Sequence, residues 1–206
     1  MDKTDAEAGA IRVPGIDMPC GWKNTPLGWR ATETELTIES GHGTDWYISP
    51  IDGLVSASAP VLLFRPAGDF VLTAKVTLDV RAQWDAGFLM VYVDDTTWAK
   101  FALEVSAYQE PTIVTVVTRG ISDDCNSATV EGHSIHLRVA RKDRAFIFYA
   151  AVDGRTWKLV RAFSLGSLPD MRVGFASQAP LGEAGSATFS EIAFERKTVS
   201  DIFRAE

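Results

Sequence analysis

One stretch of the sequence, TWAKFALEV at residues 97–105, places an aromatic ring, an amine and a carboxylate at alternating positions. Successive side chains of a β-strand point to opposite faces, so Trp98, Lys100 and Glu104 would share one face and leave the other apolar. The polar face has two interpretations. It is either a solvated sheet surface with cross-strand ion pairs, or the wall of a polar ligand pocket edged by an aromatic ring.

The spacing of Lys100 and Glu104 bears on which charges meet. Four residues of a strand span about 13 Å at roughly 3.3 Å per residue, so we predict that these two side chains do not pair with each other. Their partners would instead lie on neighbouring strands, where Asp85, Arg119 and Arg138 are the candidates.

Two further tryptophans stand next to carboxylates and close to loops, Trp46 in GTDWY and Trp84 in QWD. Indole rings pack on the apolar faces of sugar rings and carboxylates bind sugar hydroxyls, so this combination suits a carbohydrate site. The alternative is that these tryptophans pack in the core or at its rim, as tryptophans of β-sandwiches often do.

Arg119 ends the β-branched run TIVTVVTR, at the point where a strand enters the loop GISDDCNS. A planar guanidinium binds a carboxylate or a phosphate through two parallel hydrogen bonds, which suits a ligand site. The same side chain would equally form a structural ion pair with Asp123 or Asp85, and the sequence leaves both roles open.

The sequence carries no recognisable catalytic or metal-binding motif. A retaining glycosidase needs two carboxyl groups about 5–5.5 Å apart. The nearest candidate, ETELTIE at residues 33–39, has no aspartate between its glutamates. The histidines of GHGTD and HSIH supply fewer ligands than zinc requires. We therefore predict no catalytic residue, no metal and no cofactor, while an enzyme that uses Glu104 with Asp85 stays an alternative.

Composition narrows the class of protein. The chain has 206 residues, of which 46% are hydrophobic, and a net charge of -7. This size suits one large all-β domain, and the acidic balance argues against nucleic acid and anionic membranes as partners. We find no signal peptide and no membrane-length apolar run. Because Cys20 and Cys125 form no disulfide-rich framework, we expect a cytoplasmic protein.

Short alternating or apolar runs recur along the chain, separated by turn signals such as Asp153-Gly154. This pattern predicts about ten or eleven strands in an antiparallel sandwich or barrel. We find no internal repeat and no interdomain linker. The predicted organisation is a flexible leader over residues 1–15, one β-sandwich domain over residues 16–200, and a tail over residues 201–206.

Several segments then occur in a recognisable order: DWYISP, GDFVLTAKV, QWDAGFLMVYVDDTTWAKFALEV, IVTVVTRGISDD and VDGRTWKLV. They resemble the concanavalin A-like family that includes the regulation-of-enolase protein and was long catalogued as a domain of unknown function. The resemblance covers roughly residues 20–196. It implies an all-β fold, a two-sheet antiparallel jelly-roll sandwich of the lectin and glucanase type, and no established activity. Asp124 stands where the family usually places a tryptophan.

The leading hypothesis is a non-catalytic binding module that recognises a carbohydrate or small polyol on the concave sheet face. The residues predicted to bind the ligand are Trp46, Asp85, Trp98, Lys100, Glu104 and Arg119. A second hypothesis is a protein-interaction or regulatory module in carbon metabolism, which would dock a partner protein or a second copy of itself. A glycosidase-like enzyme is the third.

Overall fold

The computed structural model describes residues 11–206, and regular structure in that range consists of β-strands alone. The strands are β1 (Gly21–Lys23), β2 (Gly28–Ala31), β3 (Glu35–Gly41), β4 (Trp46–Ile48), β5 (Val55–Ala57), β6 (Val61–Phe64), β7 (Phe70–Asp79), β8 (Ala86–Asp94), β9 (Thr97–Val105), β10 (Pro111–Arg119), β11 (Ser122–Thr129), β12 (Ser134–Lys142), β13 (Ala145–Ala151), β14 (Lys158–Ser164), β15 (Arg172–Gln178) and β16 (Ala184–Glu195). No helix in this range is long and apolar enough to cross a membrane.

Two seven-stranded antiparallel sheets pack face to face. The front sheet has the order β1-β6-β15-β8-β9-β10-β11, and the back sheet has the order β14-β13-β12-β7-β16-β3-β2. Strands β4 and β5 form a separate hairpin. This arrangement confirms the predicted all-β, two-sheet antiparallel jelly-roll sandwich.

The main core lies between the two sheets and follows the period-2 alternation of the strands. On β9, Phe101 and Leu103 point toward the back sheet and are fully buried. Phe101 stacks on Phe148 of β13 with a centroid distance of 4.6 Å, so the two sheets are joined by direct aromatic packing.

The outer face of the front sheet is covered as well. The hairpin β4–β5 lies over it and encloses a second cluster of buried side chains, among them Trp46, Phe88, Met90, Tyr92 and Trp98. Both faces of β8 are therefore buried, which explains why its sequence, AGFLMVYV, is almost wholly apolar. We name β4–β5 the cover hairpin and the cluster that it encloses the covered core.

Both ends of the described chain pack on the sandwich. Ile11 pairs with Cys20, and Val13 is buried in the main core. Residues 11–15 are therefore part of the packed structure, not of the leader predicted over residues 1–15, whose first ten residues lie outside the described range. Tyr149 donates a hydrogen bond to the Ile202 carbonyl at 2.8 Å, which holds the C-terminal tail on the outer face of the back sheet.

Candidate functional site

A cleft of about 400 Å³ opens on the outer face of the front sheet, beside the cover hairpin. We call it the front cleft. Its lining is mainly polar and charged, with two aromatic and three other apolar side chains: Asp45, Tyr47, Trp84, Lys100, Glu104, Val114, Val116, Asp124, Asn126, Gln178 and Pro180.

Strand register sets the floor of the cleft. Lys100 on β9 pairs with Val116 on β10, and Val116 pairs with Asp124 on β11. The amine and this carboxylate thus start two strands apart in one row, about 10 Å between Cα atoms. The next row on this face brings Val114 beside Asn126. The two valines form a narrow apolar floor between polar walls.

Lys100 is a buried cation, with only 3% of its surface exposed. Its Nζ donates to Gln178 Oε1 at 3.1 Å and to Asp45 Oδ1 at 3.4 Å, and it lies 3.9 Å from Glu104 Oε2. Burial alone would lower the lysine pKa, but the carboxylates of Asp45, Glu104 and Asp124 outweigh burial and raise it. The ammonium is therefore charged at neutral pH.

The prediction that Lys100 and Glu104 are too far apart to pair is wrong. The Cα separation is that of four strand residues, but both side chains are long and lean toward each other along the strand. The nearest carboxylate to Lys100 comes from outside the sheet, from Asp45 just before β4. Neither Arg119 nor Asp85 contacts Lys100, and Arg138 belongs to the back sheet.

Glu104 is a nearly buried acid of the cleft wall, and its charged partner is Lys100 at 3.9 Å. Glu104 is 6% exposed, and its carboxylate accepts no hydrogen bond from any of residues 11–206. Burial raises its pKa to about 7, the carboxylates of Asp45 and Asp124 add to this, and Lys100 opposes it. A nearly buried carboxyl without donors is costly in a folded protein, so Glu104 marks a place where a ligand would gain hydrogen bonds.

The rim of the cleft carries the remaining acid and the two aromatic rings. Partial burial raises the pKa of Asp124, with Lys100 acting in the opposite direction. Trp84 has a positive φ of 70°, uncommon for a bulky residue. Its N–H donates to the Val105 carbonyl at 2.8 Å, and its carbonyl accepts from Gln178 Nε2 at 3.0 Å. These two bonds hold the strained backbone at the rim, and Trp84 and Tyr47 are the two aromatic residues of the cleft lining.

Of the six predicted ligand-binding residues, Lys100 and Glu104 line the front cleft and the other four do not. Trp46 and Trp98 are fully buried in the covered core, where their rings meet edge to face at 5.6 Å. Their faces are not available to a sugar, because the cover hairpin closes over them.

Asp85 and Arg119 also lie apart from the cleft. Asp85 is fully buried, and one oxygen accepts from the Ala82 N–H at 2.9 Å. Arg119 is exposed and donates to the Ser164 carbonyl at 3.2 Å. Because Arg119 stands at a strand end, its guanidinium lies beyond the edge of the cleft.

Sequence reasoning missed the cleft residues that flank the predicted ones. Asp45 and Tyr47 stand on either side of Trp46, so the strand alternation that buries the indole turns its two neighbours outward. The sequence shows Asp124 only as a departure from the family pattern. Its register opposite Val116 was the missing information, since pairing across β10 and β11 brings it onto the face of Lys100.

The described residues offer no group of three or more histidine, cysteine, aspartate or glutamate side chains suited to a metal ion. In the front cleft an ammonium, that of Lys100, already occupies the centre of the carboxylates. Cys20 is buried and Cys125 exposed, and the two are not bonded to each other.

Solved structures of several other proteins share this fold. A functionally unknown protein from Saccharomyces cerevisiae superposes with a TM-score of 0.80 at 24% identity, covering 85% of this chain and 95% of that one. The carbohydrate binding module CBM66 from Bacillus subtilis gives 0.56 at 14% identity, over 87% and 97%. A GH43 protein from Bacillus licheniformis gives 0.67 at 16%, over 85% of this chain but 37% of its own. At these identities the likeness shows the fold alone.

Sequence comparison agrees with the predicted resemblance. The Saccharomyces cerevisiae protein named Regulation of enolase protein 1 is 26% identical over 172 residues, which is 82% of this chain and 86% of that protein. The family model described as Protein of unknown function (DUF1349) matches residues 22–197. Because this match spans most of the sequence, the chain belongs to the DUF1349 family.

Proposed function

We propose that this protein is a non-catalytic binding module that recognises a carbohydrate or a small polyol in the front cleft. The observation that carries the proposal is the unsatisfied carboxylate of Glu104 in a cleft of about 400 Å³. Small-molecule sites have volumes of about 300–1,000 Å³ and use a few convergent polar groups on a partly apolar surface.

The lining matches the chemistry of a polyhydroxylated ligand. Sugar hydroxyls donate to carboxylates, such as those of Glu104 and Asp124, and exchange hydrogen bonds with amides such as Asn126. The apolar faces of a sugar ring suit Tyr47 and Trp84 at the rim. The likeness to a carbohydrate binding module supports this ligand class by analogy of fold.

A second candidate function is a regulatory module in carbon metabolism, and the observation that favours it is the name of the yeast relative, Regulation of enolase protein 1. The two functions are compatible, because a module that binds a metabolite in the cleft could report its level to a partner protein or to a second copy of the chain. We also propose that the protein acts in the cytoplasm.

Titration calorimetry and tryptophan fluorescence with a panel of neutral mono- and oligosaccharides and polyols test the proposal. We expect saturable binding to at least one compound, loss of at least tenfold in affinity in Glu104→Ala, and unchanged affinity in Arg119→Ala, whose side chain lies outside the cleft. No binding by this panel or by the charged derivatives of its sugars would overturn the proposal. Chemical conversion of a bound sugar, detected by product analysis, would overturn its non-catalytic part.

A further inference from the structure

We infer that the ligand of the front cleft carries a protonated amine, so that amino sugars or amino polyols bind better than their neutral counterparts and acidic or phosphorylated ones are rejected. This inference rests on the proposed function and names its ligand class. The cleft sets three carboxyl groups, those of Asp45, Glu104 and Asp124, around one cation, Lys100. The cleft lining therefore holds more acidic than basic side chains.

The single cation in the lining is not free to receive an anion. An ammonium has three donors. Lys100 directs its donors to Gln178 at 3.1 Å and Asp45 at 3.4 Å, and Glu104 lies at 3.9 Å. Arg161, the other cation that affects the Asp124 carboxyl, is paired with Asp123 at 3.2 Å. Within the described chain, no unpaired cation therefore lines the cleft for a phosphate or carboxylate.

The acids, in contrast, retain capacity to accept. Glu104 is nine-tenths buried, lines the cleft and receives no hydrogen bond from the described residues. Hydrogen bonds to a charged group are worth about twice those between neutral groups. An amine on the ligand would supply charged donors to Glu104 and Asp124, and Tyr47 and Trp84 would add the attraction of a cation to aromatic rings.

The proton balance of the site agrees with this geometry. The charged groups that act on Glu104 are Lys100 on the same strand, Asp45 beside the cover hairpin and Asp124 on β11. Burial and the two aspartates raise the Glu104 pKa to about 7, so part of the population holds a proton there at neutral pH. An ammonium placed beside this carboxyl would displace the proton. Binding of an amine should therefore release protons, whereas binding of a neutral sugar should not.

The test compares ligands that share one sugar ring and differ in the charge and the nature of a single substituent. For each of glucose, galactose and mannose, the 2-amino sugar, its N-acetyl form, the parent sugar and the 6-phosphate are titrated into the full chain by calorimetry at pH 7. We expect at least one amino sugar to bind tenfold or more tightly than its N-acetyl and parent forms, and no measurable binding of phosphates. Two buffers with different ionisation enthalpies measure proton release.

A variant tests the assigned residue. Glu104→Gln keeps the shape of the side chain but removes its charge, and we expect it to reduce the amine preference to less than about threefold and to abolish proton release. Asp124→Asn, on the exposed rim, serves as a second variant with a smaller loss of preference. Thermal unfolding confirms that each variant is folded.

Each outcome has a defined meaning. Neutral sugars that bind as tightly as amino sugars would overturn the inference and leave the proposed function intact. Tight binding of the phosphates, or of Ca²⁺ alone in a Glu104-dependent manner, would also overturn it. Absence of binding by every member of the matched series and by the neutral panel would remove both the inference and the proposed function.

Discussion

The outer faces of the two sheets surround a basic side chain in different ways. On the back sheet, the Arg138 guanidinium lies 3.8 Å from the Trp157 ring centre and donates to Thr73 Oγ1 at 3.2 Å and to the Ala205 carbonyl at 3.4 Å. On the front sheet, Lys100 is surrounded by carboxyl groups, and one of them, Glu104, has no donor of its own.

The difference separates a structural contact from a candidate site. On the back sheet the chain supplies neutral acceptors from its own tail, which close the surface around Arg138. On the front sheet the chain leaves a cleft, and the acids exceed the base that neutralises them. Of these two sites, only the one on the front sheet combines an excess of carboxyl groups with a cleft that a ligand can enter.

Removal of the buried lysine should cause the largest loss of unfolding free energy. Lys100→Met leaves the carboxyl groups of Asp45, Glu104 and Asp124 without their cation, and breaking a buried pair in this way costs about 3–5 kcal/mol. Denaturant unfolding at pH 7 measures the loss, which should shrink at pH 5 because the acids then take up protons. Arg138→Met leaves only neutral acceptors without their donor. We expect it to lower the unfolding free energy by about 1–3 kcal/mol. Equal losses in the two variants would contradict the comparison.

The next effect concerns the pH dependence of stability. The pKa of Glu104 is raised in the folded state to about 7 from an ordinary value of 4.5, so the unfolded chain releases this proton first as the pH rises. The stabilising contribution of the protonated carboxyl is complete below about pH 4.5 and is lost as the pH approaches 7, with a total on the order of 3 kcal/mol. Glu104→Gln should remove this component.

Unfolding free energies of the natural sequence and of Glu104→Gln, at several pH values between 5 and 8, measure the pH-dependent contribution of Glu104. We expect the stability of Glu104→Gln relative to that of the natural sequence to increase from pH 5 to about pH 7 and then to level off. Glu33→Gln is a suitable control, since its carboxylate is exposed at the protein surface. Parallel curves for Glu104→Gln and the natural sequence would show that the Glu104 carboxyl is not perturbed.

The smallest change in unfolding free energy is expected for the contact between the C-terminal tail and the back sheet. Tyr149→Phe removes the hydroxyl that donates to the Ile202 carbonyl at 2.8 Å and keeps the buried ring. We expect a loss of about 1 kcal/mol in unfolding free energy, since one hydrogen bond is removed. Sugar binding in the front cleft should be unaffected. A change in ligand affinity would show that the two outer faces are not independent.

The sequence sufficed for the fold because its signals are local. Strand alternation in TWAKFALEV correctly placed Phe101 and Leu103 in the core and put Lys100 and Glu104 together on the other face. Hairpin turns such as Asp153-Gly154 and β-branched runs predict the individual strands that pair into the antiparallel sheets.

The candidate site was harder to predict because most of its parts are brought together by long-range contacts. Asp45 approaches Lys100 only because the cover hairpin folds over the sheet, and Gln178 arrives from β15, far along the chain. The burial of Trp46 and Trp98 followed from the same cover. One signal of that cover was present: a strand as apolar as AGFLMVYV has two buried faces, so the surface beside it could not be open to water.

The contact between Trp46 and Trp98 also provides an optical reporter. The two indoles lie 5.6 Å apart at an interplanar angle of 78°, one on the cover hairpin and one on the front sheet. Transitions of two rings this close couple, and the coupled pair should give a circular dichroism signal that depends on their separation. Closure of the hairpin can therefore be followed by light absorption alone, without any added label.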